Sequence, residues 1–318
     1  ISFPSISPTE RPGPDPLDCN ILVNHAKPHS FGFDIEATNS AGDLGAALST
    51  SYQNKNLFRG SETFTFKIRG AYEAITGLEG YDGNNYTELG AEATLGFPAF
   101  LLPCIKREWG TLHHASSEIS LQYNMQNRPE FQRRVLTAAW RYKWSSQNQH
   151  IQHRFDLLEV NYVRMPWISR TFKEQYLDSL GKTNAILKYN YEDLFIMRLG
   201  HTYSYQSPET DAITGNKRRS RFSIRTNIET SGNLLSLISH TLYKQQTASG
   251  QYAISNIAYA QYVKGDFDFV HHWTIDNRNN LAFHFGLGIA YPYGNSTILP
   301  FEKRYFSGGA NSVRGWSV

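Results

Sequence analysis

The chain is built from segments of about ten residues in which apolar and polar residues alternate strictly. The first of these segments places Phe31, Phe33, Ile35 and Ala37 at one parity and Gly32, Asp34, Glu36 and Thr38 at the other. Because successive side chains of a strand point to opposite faces, this pattern predicts a β-strand with one apolar and one polar face. Turn-forming residues at 39–43 and a second alternating segment at 46–53 complete a predicted hairpin.

Alternation of the same kind recurs along the rest of the chain. Clear segments cover 63–72, 88–97, 118–126, 136–144, 195–204, 221–229 and 281–289, and weaker ones cover 153–165 and 251–275. We count about eleven strands of roughly ten residues, the length of a tilted strand that crosses a bilayer, whereas strands of soluble sandwiches average about five or six. Charged residues such as Arg221, Arg225 and Glu229 share one polar face. The pattern predicts an all-β fold, a transmembrane antiparallel β-barrel with lipid outside and water inside; the alternative is a soluble all-β protein.

The connections between these segments differ in length. The turn at 147–149 is short, whereas the stretches at 75–85 and 166–191 are long. Barrels of outer membranes combine short turns at the periplasmic end with longer loops at the outer end, so the connections are expected to follow this division.

Composition narrows the classes of function. The chain has no run of about 18 apolar residues, so no transmembrane helix is predicted. Its 31 basic and 28 acidic residues give a net charge of +3, which provides no special attraction to nucleic acid. Cys19 and Cys104 have no metal-ligand spacing, and whether they are free thiols or a pair stays open. No metal and no other cofactor is expected.

Several residue pairs resemble reactive groups but have simpler interpretations. The adjacent pairs His113-His114 and His271-His272 point to opposite faces of a strand, which disfavours chelation of one metal. Asp266 and Asp268 share a face and are expected to pair with basic residues of the watery interior. No serine or cysteine nucleophile has the motif context of a catalytic histidine. We therefore expect no enzyme.

The chain ends in a glycine-rich stretch, 304–318, that reads RYFSGGANSVRGWSV. It resembles the conserved loop of the BamA/TamA superfamily of outer-membrane barrel assembly and translocation proteins, the bacterial surface antigen family. The loop of that family carries a valine-arginine-glycine-aromatic tetrad after a glycine-rich lead. The matching residues are Gly308, Gly309, Val313, Arg314, Gly315 and Trp316. Residues 290–303 and 36–60 also look like the corresponding parts of that family. The sequence as a whole is most similar to the Bacteroidetes TamA-like branch of the family.

The resemblance implies a sixteen-stranded barrel of which this chain supplies about the first eleven strands. Residues 1–29 are then the tail of the last periplasmic POTRA domain, and residues 30–318 are the N-terminal part of the barrel. The chain is expected to be a piece of a longer protein. In the family the tetrad loop folds back into the barrel lumen, so Arg314 is expected to contact acidic or aromatic groups on strands that follow Val318.

The function implied by the resemblance is assembly, insertion or translocation of outer-membrane proteins without chemical catalysis. The first strand, which holds the eight residues from Phe31 to Thr38, is expected to close a lateral seam and to template incoming strands. Implied partners are outer-membrane lipids, unfolded outer-membrane proteins and periplasmic or inner-membrane accessory subunits bound through POTRA domains, in the outer membrane of a Gram-negative bacterium. The alternatives are a passive porin and a dedicated polypeptide secretion pore.

Overall fold

The computed structural model describes residues 27–306 except 41–42, 76–84, 103–109, 111, 180–188, 211–216, 242–244, 248–249 and 277. Eleven long strands form one antiparallel sheet: β1 (His29–Ser40), β2 (Asp43–Asn54), β3 (Thr63–Ala74), β4 (Tyr86–Phe97), β5 (Ser116–Asn127), β6 (Phe131–Ser145), β7 (Ile151–Ile168), β8 (Leu194–Gln206), β9 (Ser220–Ser231), β12 (Tyr262–Thr274) and β13 (Asn280–Pro292). A two-residue pair, β10 (Ala253–Ile254) and β11 (Ile257–Ala258), lies between β9 and β12 in the chain. The predictions of about eleven strands, of their approximate length and of their antiparallel arrangement are confirmed.

The sheet is a meander in which each long strand pairs with its neighbours along the chain. β1 and β13 are its two edges, and each has a single neighbouring strand among the described residues. Because consecutive strands are antiparallel, their connections alternate between the two ends of the sheet. One end, here called the long-loop end, has the connections 75–85, 169–193 and 232–261; the other, the short-turn end, has 55–62, 146–150 and 275–279.

The predicted division of connections by length has four exceptions. The connections 98–115 and 207–219 lie at the short-turn end and are longer than the other connections there. The connections 41–42 and 128–130 lie at the long-loop end and are short. β1 begins at the short-turn end, which is therefore the end at which the chain enters the sheet.

The two faces of the sheet differ as the alternation predicts. One face, the outer face, carries large exposed apolar side chains on the long strands, among them Phe33, Leu121, Ile228 and Phe285. The other, the inner face, carries the charged and small residues and is contacted by the segment 300–305, which follows β13. Apolar exposure on a whole sheet face is the expected arrangement where lipid replaces water.

A small apolar core lies on the inner face at the long-loop end. Its buried members come from three strands and the residues before β12: Val163, Leu194, Ile196, Ala260 and Tyr262. Val135, Tyr189 and Leu299 pack against them. This core joins the strand ends to the connections above them and so positions the segment that follows β13.

The helical elements are short. They are α1 (Arg170–Phe172), which continues as a π-helix (Lys173–Asp178), then α2 (Asn233–Thr241) and a 3-10 turn (Phe301–Lys303). None of the helices in the described part of the chain is long and apolar enough to cross a membrane.

Candidate functional site

A β-bulge in β7 turns two carboxylates to the same face. Asp156 lies opposite Arg141 of β6, and Glu159 lies opposite Ala139, so β7 has one residue more than β6 between these positions. The register with β8 shifts at the same place, between Asp156 and Glu159. Residues three apart in a regular strand point to opposite faces, and the extra residue of a bulge removes this constraint. Both carboxylates therefore face inward.

Arg198 of β8 lies at the centre of the resulting charge cluster. Its guanidinium approaches Asp156 to 2.9 Å, Glu159 to 2.6 Å and Glu229 of β9 to 2.6 Å. A further hydrogen bond joins Arg198 Nε to Glu159 Oε1 at 3.1 Å. Only 9% of the Arg198 side chain is exposed. A buried guanidinium is tolerated when several carboxylate oxygens receive its N–H groups, and this arrangement meets that condition.

Arg141 of β6 adds a second guanidinium to the cluster. It lies 3.1 Å from Glu118, 3.4 Å from Glu159 and 3.6 Å from Asp156. It also donates to Ser120 Oγ at 2.9 Å. Glu159 is thus shared by two arginines, which links strands β5 to β9 across the inner face.

Lys303 connects the segment after β13 to this cluster. Its ammonium lies 3.5 Å from Glu229 Oε1, and the hydroxyl of Tyr262 donates to the same oxygen at 3.2 Å. Burial lowers the pKa of the Lys303 ammonium, and the Glu229 carboxylate opposes that effect. Arg154 of β7 lies beside this set of ion pairs, 2.8 Å from Asp156. The cations Arg141, Arg198 and Lys303 and the carboxylates Asp156, Glu159 and Glu229 are joined by direct contacts. We call these six residues the inner charge cluster.

Tyr305 makes a second attachment of the same segment. Its hydroxyl hydrogen-bonds to the carboxylate of Asp266 and donates to the carbonyl oxygen of Gly265 at 3.2 Å. The ammonium of Lys264 lies 4.2 Å from the centre of the Tyr305 ring, within the range of a cation–π contact. The ring rests on Gly288 of β13, where any Cβ atom would overlap it.

Glu302 makes the third attachment, an ion pair with Arg133 of β6. The segment 300–305 is therefore held at β6 through Glu302, at β9 through Lys303 and at β12 through Tyr305. The six residues predicted to form the docking loop, from Gly308 to Trp316, lie outside the described residues, and so does any contact of Arg314. The structure brings the residues just before them onto the inner face.

All eight residues of the predicted seam, from Phe31 to Thr38, lie in β1, an edge strand. On its inner face Asp34 accepts a hydrogen bond from Ser49 at 3.2 Å. Glu36 binds the guanidinium of Arg69 through both carboxylate oxygens, at 3.0 and 2.8 Å. Arg69 belongs to β3, so its side chain reaches across β2, where Ala47 is small and buried. These contacts attach β1 to β2 and β3 and leave its opposite backbone edge without a partner among the described strands.

The expected partners of Asp266 and Asp268 are only partly basic. Asp266 accepts hydrogen bonds from Tyr305 and Asn227, with Lys264 at 3.8 Å, and Asp268 lies 3.0 Å from His284.

The inner charge cluster itself was not predicted from the sequence. The interruption of alternation near 156–159 is the signal that could have revealed it.

Comparisons with known proteins agree with this architecture. A sequence model described as the Omp85 superfamily domain matches residues 27–318. A comparison with curated proteins finds no significant match. The match confirms the resemblance to BamA/TamA proteins at the level of the superfamily, and the TamA-like branch stays a prediction. Because the match covers nearly the whole sequence, the chain belongs to the Omp85 superfamily, whose members are outer-membrane β-barrels that act in protein assembly or translocation.

Proposed function

We propose that the protein inserts or assembles outer-membrane proteins by pairing an incoming strand with the free edge of β1, without chemical catalysis. The observation that supports this proposal is the edge position of β1, a strand of 12 residues with one neighbour among the described strands. An unpaired edge presents a row of N–H and C=O groups that can pair with another chain. Main-chain pairing is tolerant of sequence, which suits a protein that acts on many substrates.

The inner-face contacts of β1 support a templating role. A useful template must keep its register while its other edge exchanges partners. The bidentate pair of Glu36 and Arg69 fixes β1 against β3, and Asp34 is fixed against Ser49 of β2. The Glu36–Arg69 pair is partly exposed and therefore screened by water, so it favours one register without making β1 immovable.

The attached segment 300–305 supports a docking role for the loop that follows it. Lys303 and Tyr305 are fixed on the inner face and directly precede the stretch that contains Gly308, Gly309, Val313, Arg314, Gly315 and Trp316. We propose that these six residues form the lumen-docking loop and that Arg314 pairs with strands beyond Val318. In the same proposal residues 1–29 end a POTRA domain, residues 30–318 form barrel, and the periplasm lies at the short-turn end.

The proposed setting is the outer membrane of a Gram-negative bacterium. Unfolded outer-membrane proteins are the proposed substrates, and accessory subunits are proposed to bind through POTRA domains.

A passive porin is disfavoured because the segment 300–305 lies across the inner face, on strands β6, β9 and β12. A polypeptide secretion pore would have the same polar inner face and is separated from an insertion factor by where its substrate makes contact.

Site-specific photocrosslinking in the full-length protein tests the proposal. A photoreactive amino acid replaces Phe33 of β1 in one variant and Leu121 of β5 in the control; both positions are exposed on the outer face. An arrested outer-membrane protein substrate should crosslink at position 33 and not at position 121. Substrate crosslinks from lumenal position Ser204 in place of position 33 would support a secretion pore and overturn strand templating.

A further inference from the structure

The connection between β4 and β5 covers part of the outer face. Ser117 has the same parity in β5 as Leu121, an outer-face residue that is 52% exposed. Ser117 itself is only 1% exposed, as is Tyr142, its register partner on β6. Since Ile119, Leu121 and Leu136 of the same face are 40–52% exposed, another part of the chain must lie over Ser117 and Tyr142.

The covering residues belong to the connection 98–115. Ser117 Oγ donates to the carbonyl oxygen of Ala99 at 2.8 Å and accepts from the N–H of Leu101 at 2.9 Å. The ring of Phe100 stacks on Tyr142 with 4.7 Å between centroids and an angle of 22°. Phe100 also meets Trp144 edge-on at 6.0 Å. The described part of this connection is thus bonded to the outer face as a second layer.

This layer lies at the rim of the sheet. Ser117 is the second residue of β5, and Tyr142 is three residues from the end of β6, so both are at the short-turn end. Trp144, one residue from the end of β6, stacks on His153 at 4.9 Å. Tryptophan and tyrosine concentrate where a barrel meets the bilayer interface. The aromatic composition of the layer matches that of a bilayer interface.

We propose that the described residues 98–102 and 112–115 of this connection form an interfacial membrane anchor whose partner is phospholipid. Leu112 is 52% exposed and Leu101 is 39% exposed, as apolar side chains that enter lipid are. Leu101 follows Phe100 on the outer face, and the carbonyl oxygen of His113, next to Leu112, accepts from the N–H of Ser145 at the end of β6. Residues 98–102 contain no charged side chain. The Ser117 hydroxyl, the carbonyl oxygen of Ala99 and the N–H of Leu101 are hydrogen-bonded to one another. None of these three polar groups is therefore left unpaired at the membrane rim.

Spin-label accessibility in the full-length protein, reconstituted into phosphatidylcholine and phosphatidylglycerol vesicles, tests this inference. A nitroxide is attached to Leu112→Cys in a Cys19→Ser, Cys104→Ser background. Collisions with apolar oxygen and with a polar nickel chelate are then compared. Control labels are Leu121→Cys on the outer face and Ser204→Cys on the inner face.

The expected ratio of oxygen to nickel collisions at position 112 is close to that at 121 and severalfold above that at 204. A ratio like that of position 204 would overturn the anchor. Low collision rates with both reagents would also overturn it, because they would mean burial in protein. If Leu112→Cys does not fold, judged by heat-modifiable mobility, Leu101→Cys carries the same label and the same two outcomes decide. The strand-templating proposal is unaffected by either result.

Discussion

The ammonium of Lys303 lies 3.5 Å from the carboxylate of Glu229 and joins the segment after β13 to a strand two positions away in the sheet. Glu229 also binds Arg198 at 2.6 Å, so one carboxylate serves both the wall of the barrel and the segment inside it. Because both contacts use the Glu229 carboxylate, the position of the segment 300–305 depends on the ion pairs between the strands. A change in those ion pairs should move the segment, and loss of the Lys303 contact should affect the ion pairs.

Replacing Lys303 with alanine should loosen the segment 300–305. The variant loses the contact with Glu229 and leaves Arg198 as the remaining cation bound to that carboxylate. Hydrogen exchange in the full-length protein in vesicles should show faster exchange of backbone amides at 301–305. Lys67→Ala is the control, because Lys67 is a lysine of β3 with no ion pair within the described residues. Equal exchange in Lys303→Ala and the unaltered protein would contradict this role of Lys303.

Arg198→Met should strongly destabilise the barrel. It removes the guanidinium that binds the buried carboxylates of Asp156, Glu159 and Glu229, and removal of one partner from a buried ion pair typically costs about 3–5 kcal/mol. The free energy of unfolding is measured by urea titration in vesicles. The control is Arg225→Met, at an exposed inner-face arginine of β9 without an ion pair among the described residues. A similar decrease in the free energy of unfolding in both variants would show that the buried cluster stabilises the barrel no more than an exposed arginine does.

Gly288 should be intolerant of even a methyl group. A Cβ atom there would overlap the Tyr305 ring, whereas at Gly286, on the same strand and face, the nearest atom is 3.4 Å away. Gly288→Ala should therefore lower stability more than Gly286→Ala, as measured by the same urea titration. The double variant Gly288→Ala, Tyr305→Ala should lose less than the sum of the single changes, because the overlap is gone. Strict additivity would mean that Tyr305 does not rest on Gly288.

The sequence predicts the regular strands and their faces because period-two alternation and burial have the same physical cause. β1, β5 and β13 follow their predicted parities without a break. β7 does not, because its bulge places Asp156 and Glu159 on one face although they are three residues apart. Strict alternation does not allow for an extra residue, so the sequence pattern of this segment is weak and does not predict that the two carboxylates share a face.

The inner charge cluster depends on information that alternation does not contain. Arg198 and Glu229 have the parity predicted for the interior, but their contact depends on the register between β8 and β9. Lys303 and Tyr305 lie in a segment without any periodicity, so their positions follow from tertiary contacts alone. The glycine-rich tetrad was recognisable by resemblance, whereas the residues that fix the segment before it were not.

The turn between β12 and β13 should show a pH dependence. Hydrogen bonds from the Asn279 side chain and from the N–H groups of Arg278 and Asn279 lower the pKa of Asp276 below its ordinary 3.8. Because the folded pKa is depressed, this stabilisation is complete above about pH 4 and is lost as the pH falls through the folded pKa. A carboxyl-carbon NMR titration should give a midpoint that rises in Asn279→Ala. An unchanged midpoint would remove the side-chain amide as the main cause.

A reversible tether on β1 gives the most direct prediction about function. If substrates pair with the free edge of β1, a disulfide that joins β1 to the strand closing the full-length barrel should abolish insertion of an outer-membrane protein into vesicles, and a reductant should restore it. The matched control is a disulfide between Ala93→Cys of β4 and Leu121→Cys of β5, register partners on the outer face. Both are built in a Cys19→Ser, Cys104→Ser background. The control fixes two strands that are already neighbours and should leave insertion unchanged. If the variant with the oxidised β1 disulfide inserts as much substrate as the unaltered protein, opening of this seam is excluded. If the control disulfide lowers insertion to the same extent, the cause is a general effect of rigidity, which also contradicts the special role of β1.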